Sequence, residues 1–411
     1  MKPLFYIVAS VAVICNLFLL SSIYAHALIF DEECQYQTES MVQIWEKKKY
    51  GGDCLSLGIG EYETLEQKVK SITVPQEYVV FAYSKENFKG KEYVFNDSVE
   101  RMFKFSLTDG FFFVRNIKSI KVALIESEPI DITDIDDAQK NDIMIEYAPR
   151  IYMAKEEPYA AVSLSWTFEN FDRVVDSKGN SRIVMKEKAD GAHDICETFY
   201  GEQETAVAYA FWVEKNNNYV DLVYFIFCSY DSGKYIWLVN NMVGGHPGDW
   251  EHFTLRFLKY EKGGNVYMRP VKTAFAAHTF AEIATWEELE MYDDTHCEIF
   301  CASGTHGLYP HAGTYTYANF IAVQLKDVCT KGENWDLWLP GNLETFELVP
   351  QVSCRSLAGS AWAEVFGYDL DDPMKGGILY WGNEAEYPPF MNSGPQGPQF
   401  KTEMTHMDSF K

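Results

Sequence analysis

Positive charge is scarce in this chain. It has 35 Lys and Arg against 60 Asp and Glu, a net charge of −25 over 411 residues. Nucleic-acid binding needs clustered cations that displace counterions from phosphates, and simple docking on an anionic membrane needs them too. Both are excluded. Long apolar runs are nearly as scarce. One covers residues 4–20 behind Lys2, and no second run of spanning length follows. Helical periodicity is equally sparse, with residues 281–290 the only stretch expected to be helical. Ser303-Gly304-Thr305-His306 lacks the Gly-x-Ser-x-Gly elbow of a serine hydrolase. Cys297 and Cys301, with His296 and His306 nearby, lack a familiar zinc-ligand spacing.

What is abundant is aromatic. Twenty-six Tyr and twenty-eight Phe sit in short alternating runs, which favours strands over helices. A 47% hydrophobic content describes a packed globular protein, and the length allows two or three domains. The apolar run at residues 4–20, followed by Ala25-His26-Ala27, reads as a signal peptide over residues 1–27. The mature chain is then expected to be secreted or luminal, with no transmembrane segment. Cys15 leaves with that peptide. The remaining eight cysteines are Cys34, Cys54, Cys196, Cys228, Cys297, Cys301, Cys329 and Cys354. An even number in a secreted chain predicts up to four disulfides, with Cys34 and Cys54 expected to pair. Asn96-Asp97-Ser98 is an N-glycosylation sequon.

The most informative run is Gly244-Gly245-His246-Pro247-Gly248-Asp249-Trp250-Glu251-His252, continuing through Phe253-Thr254-Leu255-Arg256-Phe257. In a strand, side chains alternate faces. Asp249, Glu251, Phe253, Leu255 and Phe257 therefore share a face that is otherwise apolar and points inward. Carboxylates there need a positive partner. The candidates are an arginine such as Arg256 or Arg269, or a hard divalent cation (Ca, Mg or Mn) with His246 as third ligand. A proton shared between the two carboxylates is a further possibility. His278 and His306 are candidates for a second polar cluster facing that pair. Nothing predicts an organic cofactor.

Several segments carry resemblances. The Gly-Asp-Trp-Glu-His strand resembles the signature of the vacuolar protein sorting-associated protein 62 family. So, in order, do Tyr147-Ala148-Pro149-Arg150-Ile151-Tyr152, Val220-Asp221-Leu222-Val223-Tyr224, Ala277-His278, Ser303-Gly304-Thr305-His306-Gly307, Trp381-Gly382 and Gly394-Pro395-Gln396-Gly397-Pro398. This resemblance covers residues 146–400. Over a shorter run the chain is similar to the Gly-His-Arg-His-Asp-Trp-Glu heptapeptide of necrosis- and ethylene-inducing peptide-like cytolysins. There the first His, the Asp and the Glu hold a divalent cation. The matching positions here are His246, Asp249 and Glu251, with Pro247-Gly248 in place of Arg-His. Upstream, Val42-Gln43-Ile44-Trp45 leads through Tyr50-Gly51-Gly52 to Ser71-Ile72-Thr73-Val74. Val80-Phe81-Ala82-Tyr83 leads through Phe88-Lys89-Gly90 to Ser119-Ile120-Lys121-Val122. Two such copies resemble the paired Greek keys of βγ-crystallins over residues 34–125. Gln67-Lys68 and Arg115-Asn116 do not fill that family's calcium pattern, so no calcium is expected in this module.

The expected architecture is all-β: a βγ-crystallin-like double Greek key (28–125), then a large antiparallel β-sandwich with long loops (146–400) and a tail (401–411). Between the two modules an acidic, solvated linker (126–145) is expected. The expected function is non-catalytic: a secreted binding or effector protein whose cation site fixes a loop that engages a glycan, lipid head group or protein. The alternatives are a metal-dependent hydrolase using the same site and a membrane-damaging, cytolysin-like toxin.

Overall fold

The computed structural model describes the chain from residue 41 onwards, except for 186–196, 367–378, 383–393 and a number of shorter stretches. The signal peptide, Cys34, Cys196 and the asparagine of the sequon lie outside the described residues. The chain divides into two compact units, residues 1–128 and 129–411.

In the first unit the internal repeat becomes a repeat of interactions. Ser71 Oγ donates to the Lys47 carbonyl at 2.7 Å and accepts from the Tyr50 amide at 3.0 Å. Ser119 Oγ donates to the Lys85 carbonyl at 2.7 Å and accepts from the Phe88 amide at 3.0 Å. Each serine ties down a folded turn whose aromatic packs edge-on to a ring of the preceding strand, Tyr50 on Trp45 and Phe88 on Tyr83. The strands then exchange. Val42–Lys47, Gly51–Leu57 and Ser71–Thr73 form one sheet, while Gly60–Tyr62, from the same copy, pairs with Ser119–Leu124 in the other. Val99 of the second copy crosses back to bridge Ile72. That exchange makes a double Greek key around one core of Ile44, Leu55, Ile72, Val80, Phe95 and Ile120. Ser119 is fully buried. Ser119→Ala removes the partner of the Lys85 carbonyl and of the Phe88 amide, both partly reached by water, so thermal melts are expected to show a loss of about 1 kcal/mol.

The second unit is built on one large sheet. Its order is Ile130–Asp131, Asn265–Ala277, His246–Lys262, Tyr219–Asp231, Ala208–Glu214, Leu343–Val349, Ser353–Ser356, with Phe280–Thr285 also pairing to Asn265–Ala277. Every residue of Tyr219–Asp231 is buried, because its nearly unbroken apolar run is covered on both faces. On one face Leu222, Tyr224, Ile226, Phe253 and Leu255 pack against Tyr147, Ile151 and Ile299. On the other, Val223, Phe225, Phe227 and Trp250 pack against Leu164, Ile183 and Trp381. The sandwich thus gains a third layer.

The sheets are mainly antiparallel, as expected, with three parallel pairs: Ala208–Glu214 to Leu343–Val349, Arg150–Tyr152 to Glu298–Cys301, and Ser181–Met185 to Leu379–Trp381. These partners are far apart in sequence, so no hairpin dictates their direction. Two other expectations need correction. The expected helix at 281–290 is a strand, Phe280–Thr285, followed by a short 3-10 turn. The expected linker is structured. Ile130–Asp131 joins the large sheet, and a helix runs over Asp137–Glu146. Its acidic residues cap and anchor rather than float: Asp136 accepts from the Gln139 amide, and Asp137 pairs with Arg355.

The cysteine expectation also changes. Cys54 is disulfide-bonded, and its expected partner Cys34 lies outside the described residues. Cys228, Cys297, Cys301, Cys329 and Cys354 are free thiols. The first four are fully buried or nearly so and serve as small hydrophobes in the cores. Cys354 Sγ donates to the Ala363 carbonyl at 3.0 Å.

Candidate cation and polar cluster

The Tyr219–Asp231 and His246–Lys262 strands pair so that Cys228 faces Asp249, Tyr230 faces Pro247, and Asp231 faces His246. Gly248 interrupts the regular alternation with φ +71°, a conformation glycine adopts without strain. A side chain there would also meet Phe227 Cζ at 2.7 Å. The turn brings Asp231, His246 and Asp249 together, with one donor atom from each within 4.8 Å of the others. Asp249 is buried and His246 half-buried. His246 Nδ1 donates to the Gly248 carbonyl at 2.8 Å. Its Nε2 lies 3.7 Å from Asp231 Oδ2.

Glu251 lies outside that group of three. It follows Asp249 on the same face, half-buried, and burial together with the Asp249 charge holds its carboxyl well above the usual range. Asp231 takes the place expected for it, its own carboxyl pushed up to about 6 by burial, with the charge of Asp249 adding to the rise.

Neither Arg256 nor Arg269 neutralises Asp249. Arg256 lies on the opposite face, where it clamps Asp221 with two 2.7 Å bonds. Histidine takes the role instead. His306, fully buried in the positive-φ region, donates from Nδ1 to Asp249 Oδ2 at 3.0 Å. Its Nε2 lies 3.3 Å from Glu157 Oε1, off line for a hydrogen bond. Burial alone would lower this imidazole's pKa, but Cys228, Glu157 and Asp249 outweigh it and raise the value well above the usual range. Burial would raise both carboxyls, and His306 holds each below its ordinary value. Glu157 Oε2 also accepts from the Gly304 amide.

His278 goes elsewhere. Its Nε2 meets Asp327 Oδ2 at 2.8 Å, and its ring stacks on Tyr317. Asp327 is buried and also accepts from Thr305 at 2.6 Å and Tyr309 at 2.8 Å. Of the residues singled out by sequence, His246, Asp249 and His306 therefore meet, while Glu251 and His278 lie apart from them. Asp231, Glu157 and Asp327 were missed.

Residues 201–335, which hold most of this cluster, match the family of Vacuolar protein sorting-associated protein 62. The protein of that name from Saccharomyces cerevisiae is 31% identical over 144 residues, 33% of this chain and 30% of that protein. TDA6 of the same yeast, also named for vacuolar protein sorting, is 28% identical over 226 residues, 49% of this chain and 45% of that protein. The chain thus spans less than half the length of either yeast relative. In the N-terminal region it is similar to solved βγ-crystallin domains. One from Clostridium beijerinckii is 24% identical, over 20% of this chain and 96% of that one, at a TM-score of 0.17. One from Flavobacterium johnsoniae is 22% identical, over 21% of this chain and 98% of that one, at a TM-score of 0.18.

Among the described residues no helix is long and apolar enough to cross a membrane.

Proposed function

We propose that this chain is a non-catalytic binding or effector protein of the secretory pathway, with a divalent cation held by Asp231, His246 and Asp249. The observation that carries the reading is the arrangement of donors. Two carboxylates and an imidazole converge within 4.8 Å, with His246 Nδ1 held by the Gly248 carbonyl and Nε2 3.7 Å from Asp231 Oδ2. A cation between His246 Nε2 and Asp231 Oδ2 would bond both. At about 2.1 Å each, such bonds span a gap of this size. Hard oxygen donors with one nitrogen suit Mg, Mn, Ca or Zn.

The cation would join the ends of two adjacent strands and fix the 232–245 loop between them. The residues do this by position alone, with Gly248 turning the chain and the Gly248 carbonyl setting the His246 tautomer. A luminal or secreted location is supported by the apolar N-terminal run and by the yeast relatives' association with vacuolar sorting. The carry-over of toxicity or hydrolysis has no structural support beyond the shared residue types.

The test is metal content of the purified full chain by mass spectrometry after metal-replete dialysis. The wild type is expected to carry one equivalent of a divalent metal, and Asp231→Asn/Asp249→Asn none. A metal-free wild type overturns the reading.

A further inference from the structure

We propose that the cleft bordering this cluster is a binding site for a short neutral oligosaccharide. The inference rests on the binding-protein reading above and gives it a ligand class. The cleft has a volume of about 720 Å³, within the size range of small-ligand sites. It is formed by the chain around residues 153–160, the 203–206 turn and the 331–335 loop, all within the second unit. Gly332 makes the enclosure tight, since a Cβ there would meet the Met153 carbonyl oxygen at 2.2 Å.

Three features of the walls select the ligand. First, Lys155, Gln203, Glu204 and Glu333 all line the cleft, and none of these side chains has a hydrogen bond or ion pair among the described residues. They present ammonium, amide and carboxylate groups to whatever enters. Hydroxyl groups both donate and accept, so a polyol can satisfy all three kinds at once. Second, in a chain of net −25 the lining carries both signs, with Lys155 and Lys331 beside Glu157, Glu204 and Glu333, and Lys331 is already engaged by Glu298 at 2.8 Å. A polyanion or a strongly basic segment would meet like charges as well as opposite ones. Third, the apolar part of the lining includes Tyr159, 5% exposed, whose ring stacks on Tyr200, itself 48% exposed. An aromatic ring in the wall of a polar cleft suits the C–H face of a sugar ring.

Glu157 belongs to both sites. It lines the cleft, while its carboxylate reaches inward to the Gly304 amide and His306. The wall of the cleft is therefore anchored on His306, which bonds Asp249 of the proposed cation site.

The experiment presents the full-length chain to an array of short glucan, chitin and mannan oligosaccharides, with sulfated oligosaccharides and basic peptides alongside. Wild type is expected to retain at least one neutral oligosaccharide. Gln203→Ala/Asn334→Ala, two lining changes outside the cores, is expected to bind it about tenfold more weakly, as two neutral hydrogen bonds predict. Retention of no neutral oligosaccharide, binding confined to sulfated sugars or peptides, or unaltered affinity in the double variant overturns the proposal. Near-ultraviolet circular dichroism confirms that the variant is folded. The parent reading fails separately. Shortened products in the recovered sugar would overturn the non-catalytic assignment, and a metal-free protein that still binds sugar would overturn the cation site. Either result leaves the cleft standing.

Discussion

Replacing His306 by leucine is expected to cost about 3–5 kcal/mol of folding stability at neutral pH, the range for removing one partner from a buried ion pair. The side chain is fully buried between Asp249 and Glu157. Leucine fills a similar volume, so the effect reports charge rather than a cavity. Asp249 keeps no other hydrogen-bond donor among the described contacts, and Glu157 keeps only the backbone amides of Tyr159 and Gly304. Adding Asp249→Asn to His306→Leu removes the stranded charge and is expected to restore a large part of the loss. Urea unfolding of the three proteins measures the coupling. A loss below about 1 kcal/mol for the single variant would show that water or solution ions reach Asp249 freely.

The same cluster sets a pH dependence whose sign differs from group to group. Asp249 and Glu157 have folded-state values below their ordinary ones. Their stabilisation is present at neutral pH and disappears as pH falls through those lowered values. Asp231 behaves oppositely. With its folded value raised to about 6, against about 3.9 for a free aspartate, its stabilisation is complete below pH 4 and is lost as pH rises through 6. Glu251 shifts in the same sense. Metal-stripped protein is therefore expected to lose stability between about pH 4 and 7, and a saturating divalent cation is expected to cancel that loss by binding the ionised Asp231. Thermal melts across this range, with chelator and with added metal, check both halves. A flat profile in chelator would show that Asp231 titrates as a solvated carboxylate.

The sequence made the first unit legible because its repeat is local. Ser71 and Ser119 occupy equivalent places after equivalent aromatic–glycine turns, so pattern alone finds the two copies. The hairpin of Ala208–Glu214 and Tyr219–Asp231 was legible for the same reason. The alternation from Asp249 to Phe257 put Phe253 and Leu255 on an inward face and Trp250 on the other, and a second layer buries that other face as well. His246 precedes that alternation and joins Asp249 because the positive φ of Gly248 breaks the period of two. Asp231 escaped notice because it meets His246 through strand pairing across a 14-residue excursion. The signal was there in part, in an apolar strand ending Tyr230-Asp231-Ser232-Gly233 just before the glycine-rich entry to the next. Glu157 reaches His306 through tertiary packing, and its Glu157-Pro158-Tyr159 run, part of the family resemblance, carried no sign of that role. Asp327 meets His278 beside the cluster, again by packing that its own neighbourhood does not announce. The free thiols were misjudged because an even count says nothing about depth, and Cys228 and Cys301 are fully buried.

On the opposite face of the same strand pair lies a second buried charge cluster, and Asp221→Ala is expected to disrupt it by a comparable amount. Asp221 is fully buried and bonds Arg256 Nε and a terminal guanidinium nitrogen at 2.7 Å each. Lys215 Nζ lies 3.3 Å from the same carboxylate and donates to the carbonyls of Glu403 at 2.7 Å and Thr405 at 2.8 Å. One anion thus serves two buried cations, and one of those cations fastens the C-terminal segment to the sheet. Burial already lowers the Lys215 pKa, partly offset by Asp221. Without Asp221 the lysine loses that support beside Arg256, and its pKa falls further. Global stability is expected to fall by about 3–5 kcal/mol. Amide exchange over residues 401–406 is expected to accelerate more than exchange in Tyr219–Asp231, since the latch loosens before the sheet opens. The volume-matched pair Asp221→Leu/Arg256→Met removes both charges and is expected to recover most of the loss. If the double variant is as unstable as Asp221→Ala, the packing of Asp221 rather than its charge holds this region together. Equal exchange rates in tail and strand would show that the tail does not depend on Lys215.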